Sequence, residues 1–266
     1  MAAPESKQWK EAIRRREIRA HIRNHTWDVV RRPPGIKVIG FKWVFAHKFD
    51  ETGQIVRYKA RLVALGYLQI PGINYFNTYS PVASTNTIRV FLAVCCSLDL
   101  ILRQFDVETA FLNGDLEEDV YMAAPLGIDI PEGMVCKLRR SLYGLQQAAA
   151  VWFKKIRSVF ISMGLVQCRA NPCLFVRHQA GRDTSPVFII LYVDDLLIGC
   201  KSDEIADKSR DELAEHFTLK SLGEARYVLG VEIQYATKKV ELLLRQSQFI
   251  SKMLETFAIP WYWVKF

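Results

Sequence analysis

The chain has 266 residues, half of them hydrophobic, enough apolar material for a sizeable core in one or two domains. Its net charge of +8 sits in the first quarter, where residues 1–63 hold 15 Lys/Arg against 6 Asp/Glu while the remainder holds 21 against 22. The longest apolar run, from Val187, is too short and too charged for a membrane helix, and the polar N-terminus has no apolar signal core, so neither a membrane nor a secreted protein is expected.

Residues 5–24 read as an amphipathic helix carrying Arg14, Arg15, Arg16, Arg19 and Arg23, stopped by Pro33-Pro34-Gly35. Strands are predicted over Val38–Phe49 and Gln54–Gly66, joined by a hairpin turn at Asp50-Glu51-Thr52-Gly53. Ser84 or Thr85 is placed to cap a helix running to about Leu100. A short strand, Leu102–Val107, precedes the Asn113-Gly114 turn, and strands follow around Val120–Met122 and Val135–Leu138. Leu142–Met163 reads as a long helix ended by Gly164. Strands at Cys173–Arg177 and Val187–Val193 lead into Leu196–Cys200. A helix at Glu204–Phe217, a strand pair at Tyr227–Gln234 and Val240–Arg245, and a helix from Gln246 complete the pattern. Helices and antiparallel strands interleave without strict βαβ alternation, which predicts an α+β fold. Cys95, Cys96, Cys136, Cys168, Cys173 and Cys200 show neither C-x-x-C spacing nor a histidine partner, and read as reduced core residues of an intracellular protein. The basic first quarter suggests a polyanionic partner, nucleic acid ahead of membrane; a solvated basic helix is the plain alternative.

The chemistry concentrates in Pro186–Cys200, PVFIILYVDDLLIGC, where two adjacent aspartates interrupt two apolar strands. Burying carboxylates costs several kcal/mol (roughly) unless charge or hydrogen bonds compensate. A hairpin turn would favour Asn-Gly or Asp-Gly, and Asp-Asp offers no residue suited to positive φ. A hard divalent cation would supply the missing charge; two solvated turn aspartates are the alternative. A further carboxylate, Asp106, ends the strand in RQFDVETAFLNGD. Alone it reads as a cap. Taken with Tyr192-Val193-Asp194-Asp195, it completes a strand-end aspartate, a helical intermission and a Y-x-D-D hairpin.

In that order and spacing the chain resembles the reverse transcriptases of copia-type LTR retrotransposons. The matching blocks are Asn24–Val30, Lys42–Phe45, Arg57–Ala64, Gln104–Gly114, Val120–Met122, Ser141–Leu145 and Leu191–Asp195, followed by Leu222-Gly223 and Leu229-Gly230. The resemblance implies a right-hand polymerase fold of fingers, palm and a partial thumb. Residues 1–84 would form the N-terminal helix and fingers. Residues 85–222 would be palm with a fingers insertion at about 120–165, and 223–266 the end of the palm and a truncated thumb.

It further implies RNA-directed DNA polymerase activity with two Mg²⁺ ions, Mn²⁺ being the alternative. The expected partners are an RNA template, an RNA–DNA hybrid or DNA primer–template, and dNTPs. Asp106 and Asp194 would be the main metal ligands, Asp195 a weaker one or an electrostatic support, and the Val107 carbonyl a further donor. Phe111 matches the sugar-facing aromatic, with core packing as its plain alternative. Gln147, placed in the helix after Leu145, resembles a glutamine beside the incoming nucleotide, or else is solvent-exposed. Lys59 and Arg61 share one side of a strand, as a triphosphate clamp needs, although a surface pair fits the same pattern. Tyr192 completes the substrate set.

Some positions depart from the family pattern: Ala149 and Ala150 stand where Pro and Arg are usual, Ala124 where Gln is, and Asn171 where Asp is common. The tail Pro260–Phe266 reads as an abrupt stop or frameshift, so the chain is expected to be cut from a polyprotein carrying protease, integrase and RNase H. A cytoplasmic, virus-like-particle location with nuclear access follows from the resemblance. A non-catalytic remnant that keeps the fold and nucleic-acid binding is the second reading.

Overall fold

The computed structural model describes residues 5–49, 54–178, 186–236 and 241–257 and is mixed α+β, as the interleaved pattern predicts. It divides into two units, Met1–Pro81 with Thr109–Val159, and Val82–Glu108 with Phe160–Phe266. All elements are numbered along the chain.

In the first unit the basic N-terminal helix is not regular: α1 (Ser6–Glu11) and α2 (Arg19–Arg23) flank a π-helical stretch, Ala12–Ile18. The predicted strand Val38–Phe49 divides at Gly40 into β2 (Val38–Ile39) and β3 (Phe41–Phe49), which serve different sheets. β3 pairs antiparallel with β4 (Ile55–Ala64) from Phe41↔Ala64 to Phe49↔Ile55; the predicted turn at 50–53 lies outside the described residues. β2 lies parallel to β6 (Tyr121–Met122), which pairs with β7 (Met134–Leu138) and, through it, with β1 (Trp27–Arg31). Ile39, Leu62, Met122, Leu138 and Leu142 meet in the core of this unit.

The long predicted helix starts late, as α4 (Ala148–Ser162). The reason lies at Gly144, whose φ is +92° and where a Cβ would stand 2.2 Å from the Ala64 carbonyl oxygen. The Ala64 amide also donates to the Tyr143 carbonyl at 2.8 Å. Residues 141–147 therefore lie backbone against backbone on the end of β4 instead of winding into a helix.

The second unit holds an antiparallel sheet of order β12-β5-β11-β10-β9-β8. Its strands are β5 (Ile101–Val107), β8 (Val166–Gln167), β9 (Leu174–Arg177), β10 (Val187–Tyr192), β11 (Asp195–Cys200) and β12 (Leu219–Glu224). Helix α3 (Thr85–Ser97) begins with the Ser84 hydroxyl accepting the Thr87 amide at 3.2 Å, the expected cap. It packs closely on the sheet, since a Cβ at Gly199 would stand 2.4 Å from Cys95 Sγ. α5 (Asp203–Ala214), a three-stranded sheet of β13 (Tyr227–Val228), β14 (Val231–Ala236) and β15 (Glu241–Arg245), and α6 (Ser247–Thr256) complete the unit. The positive φ of Leu229 and Gly230 splits the predicted strand Tyr227–Gln234 into β13 and β14. The tail from residue 258 lies outside the described residues.

All six cysteines are free, and all but Cys168 are buried. Burial pushes the Cys95 thiol up to about 12 and the Cys200 thiol to about 11, which leaves both uncharged and inert at neutral pH. No described helix is long and apolar enough to cross a membrane.

Candidate active site

The apolar runs around the two aspartates form a tight hairpin, but its turn is displaced by one residue from the Asp-Asp pair. Tyr192 pairs with Asp195, so the two-residue loop is Val193-Asp194 and Asp195 is already the first residue of β11. Val193 carries the positive φ that the turn demands, at +57°. That position suits glycine, and a β-branched residue there holds strain on the order of 1–2 kcal/mol.

Register then assembles the site. β11 pairs with β5 so that Asp195 lies directly opposite Asp106, and directly paired Cα atoms in an antiparallel ladder are roughly 4.5–5.5 Å apart. The Val107 amide donates to the Asp194 carbonyl at 2.8 Å and ties the turn to the neighbouring strand. On its other side Asp106 faces Lys220 of β12. Thus Asp106 has a cation across one ladder and a carboxylate across the other, whereas Asp195 lies between Asp106 and Tyr192.

The electrostatics follow from that arrangement. The Asp195 carboxyl is held above the usual carboxylate range, first by partial burial, then by the charges of Asp194 and Asp106. Gln104 opposes the shift, its amide donating to Asp195 Oδ1 at 3.4 Å. Gln104 precedes Asp106 by two residues and shares its face of β5. Among the described residues no three acidic, His or Cys side chains already converge as a metal cage. Even so, the donor set suits a hard cation. Three carboxylates gather at one end of the central strands β5 and β11, and the partly buried Asp195 has two carboxylates as charged neighbours.

The other predicted residues lie in the first unit. Lys59 and Arg61 occupy β4 opposite Ala46 and Val44, two residues apart and on one side. The Arg61 guanidinium lies 4.8 Å over the Tyr143 ring, and Tyr143 meets Phe111 edge-on at 4.6 Å. Phe111 is only partly buried, at the margin of the core. Gln147 is neither helical nor solvent-exposed: it precedes α4 and is 1% accessible. Its amide nitrogen donates to the Asn74 carbonyl at 2.8 Å, and its oxygen accepts from Gln69 at 3.0 Å. Gln69 Oε1 in turn accepts the Gln146 amide at 2.8 Å.

Sequence reasoning gave no role to Gln104, Lys220, Tyr143 or Gln69. A polar residue two positions before Asp106 in an apolar strand was a readable signal for Gln104. Tyr143 stood inside a recognised block, while Lys220 and Gln69 had no signal at all.

Residues 24–261 match the family of reverse transcriptases (RNA-dependent DNA polymerases). The chain belongs to that family. It is 40% identical over 92% of its length to the retrovirus-related Pol polyprotein of transposon RE1 from Arabidopsis thaliana, of which it covers 16%. Against the corresponding polyprotein of transposon TNT 1-94 from Nicotiana tabacum it is 38% identical over 97% of the chain and 19% of that protein. A Ty1-H Gag-Pol polyprotein of Saccharomyces cerevisiae is 30% identical over 90% of the chain and 13% of the polyprotein. The chain thus spans less than a fifth of these relatives, and the copia-type resemblance read from its blocks stands. Among solved structures, a foamy viral protease–reverse transcriptase in complex with double-stranded DNA aligns with TM-score 0.47 and 14% identity, over 93% of the chain and 37% of that protein.

Proposed function

We propose that the chain is the polymerase core of a retrotransposon reverse transcriptase, adding deoxynucleotides to a primer 3′-hydroxyl on an RNA or DNA template. The observation that carries the reading is the strand register, which sets Asp106 against Asp195 with Asp194 on the adjoining turn. Divalent-metal dependence belongs to the family. In this reading the ions are two Mg²⁺, held by Asp106, Asp194 and Asp195 with the Val107 carbonyl beside them. When bound, such ions neutralise charge on the transferring phosphoryl group and on the attacking and leaving oxygens.

The protein's own part is positioning. Gln104 orients the Asp195 carboxylate, and the Val107–Asp194 hydrogen bond fixes the turn. Lys59 and Arg61 are assigned to the triphosphate, Phe111 to the deoxyribose, and Tyr192 to the substrate side of the hairpin. Tyr143 braces Arg61 and Phe111 together. Buried and fully engaged, Gln147 is assigned a positioning role beside them. The division into fingers, palm and partial thumb belongs to the same reading. No observation favours the non-catalytic alternative.

The test is primer extension with Asp194→Asn. The amide keeps the shape and loses the charge that holds the metal. Extension should fall below detection while far-UV circular dichroism and melting stay those of the parent. Turnover comparable to the parent would remove Asp194 from the ligand set.

A further inference from the structure

The N-terminal helical segment lies ahead of residue 24, where the family match begins, and supplies none of the site residues assigned above. It is nevertheless fixed to its unit. The Glu17 carboxylate accepts the Leu62 amide of β4 at 2.9 Å. Trp9 meets Phe45 and Tyr58 edge-on, with centroids 5.0 and 4.8 Å apart. Ala12, Ile18 and His21 are buried. Its inward side chains are thus committed to the protein: Trp9 and Glu17 to the hairpin of β3 and β4, Ile18 to the backbone at Gly127, and His21 to Trp27 and Thr26.

What faces out is almost wholly cationic. Lys7, Lys10, Arg14, Arg15, Arg16 and Arg19 are all exposed. Of the acids within the segment, Glu11 pairs with Arg15 at 3.5 Å and Glu17 is turned inward. Among the described residues Arg14, Arg16 and Arg19 therefore have no acidic partner. Three of the arginines are consecutive and fall in the π-helical stretch, a geometry that recurs at functional sites.

A helix left with unneutralised charge of one sign and a fixed orientation is an electrostatic surface for a polyanion. Two polyanions compete for it. A membrane-surface helix must insert an apolar face into lipid; here that face is packed on the protein, and Ile22 is the one strongly exposed apolar side chain of the segment. Arginine forks, by contrast, match phosphate oxygens in pairs. We propose that this ridge is a sequence-independent clamp for the phosphodiester backbone of a single nucleic-acid strand. The proposal shares with the polymerase reading only the choice of nucleic acid as partner.

The experiment compares the parent with a triple Arg14→Gln, Arg16→Gln, Arg19→Gln variant and a matching triple to Lys. Glutamine and lysine have helix propensities close to that of arginine, so the segment should keep its fold. Binding of a labelled, unprimed oligouridylate is followed by anisotropy across salt concentrations. Each phosphate contact contributes about 0.7 to the salt slope on a single strand, so the Gln triple should lower the slope by about 2 and the Lys triple should keep it. A Gln triple with the parent's slope and melting temperature would overturn the proposal. Equal loss in both triples together with a lowered melting temperature would also overturn it, in favour of a structural role. Loss of binding to anionic vesicles with RNA binding unchanged would point to a membrane and overturn it as well. An oligodeoxythymidylate arm reports whether the clamp prefers RNA, and equal slopes on both support backbone-only recognition. An active polymerase whose slope the Gln triple leaves unchanged sinks the clamp alone. A parent that cannot extend a primer, but whose slope falls in that triple, sinks the polymerase reading alone.

Discussion

Asp195→Asn should make the metal-free protein more stable at neutral pH while abolishing or crippling extension. Asp195 lies directly across the ladder from Asp106, beside Asp194, and is partly buried. A like-charged pair directly opposite on neighbouring strands costs roughly 0.2–1 kcal/mol. Partial loss of hydration adds a penalty of similar size, on the order of 1 kcal/mol once solvent screening is allowed for. Asparagine removes both and still accepts the Gln104 hydrogen bond, so the gain is about 1–2 kcal/mol, or about 2–4 °C in Tm for a chain of this size. The pH dependence has a definite sign. Because the folded carboxyl is held above its unfolded value, its protonated form favours the folded state and that benefit is lost as pH rises through the raised value. The advantage of the variant is therefore full at neutral pH and fades as acid protonates Asp195 in the parent. Differential scanning fluorimetry of both proteins in chelator, from neutral to acidic pH, measures it. Added Mg²⁺ should then stabilise the parent more than the variant and narrow the gap. A variant equally or less stable at neutral pH in chelator, or a gain that persists unchanged in acid, would refute the electrostatic account.

On the proposed polymerase reading, Phe111→Ala should let the chain insert ribonucleotides while keeping appreciable dNTP use, because plain hydrophobic contact rejects an added hydroxyl only about 100-fold; extension with each nucleotide set decides it, and undiminished discrimination would leave Phe111 a packing residue. Gly144→Ala should cost more than about 4 kcal/mol, since its Cβ would meet the Ala64 carbonyl oxygen at 2.2 Å on a φ of +92°. Gly72→Ala, with φ +76° and open space around the Cβ, should cost only about 1–2 kcal/mol. Chemical denaturation in which the two variants unfold alike would deny the close approach of residues 141–147 to β4.

The parts of the fold that could be read ahead were those whose hydrophobic period matched their final environment. β5, β10 and β11 are apolar strands with buried residues on both faces, and each was placed within a residue or two. β12 was missed because its side chains are almost all exposed and show no alternation. It is a strand only through its backbone pairing with β5, with an irregularity between Ser221 and Gly223. Missing β12 also hid Lys220, the one cation opposite Asp106. The start of α4 was misplaced for a related reason: Leu142, Leu145 and Ala148 have helical spacing and are indeed buried, but a backbone contact at Gly144 outweighs that pattern.

At the site itself, the clustering of the three carboxylates was legible, and the backbone difference between Asp194 and Asp195 was not. Reading Asp-Asp as the turn makes the two residues equivalent; the observed loop, Val193-Asp194, makes them different. Side chains alternate along a strand, so moving the turn by one residue would carry Asp195 to the opposite face and away from Asp106. The loop length is thus what holds the carboxylate pair together, and it places a valine where φ is positive. A glycine there would relax the backbone, yet it would also free the loop to adopt other turns. Two restraints resist such a slip: the Val107 amide on the Asp194 carbonyl, and the close packing of Gly199 on Cys95 farther along β11. A slip would break the first and force a side chain into the second. Strain at Val193 is therefore best understood as a consequence of a register fixed from both ends of β11, with Asp194 held at the turn and Asp195 held against Asp106.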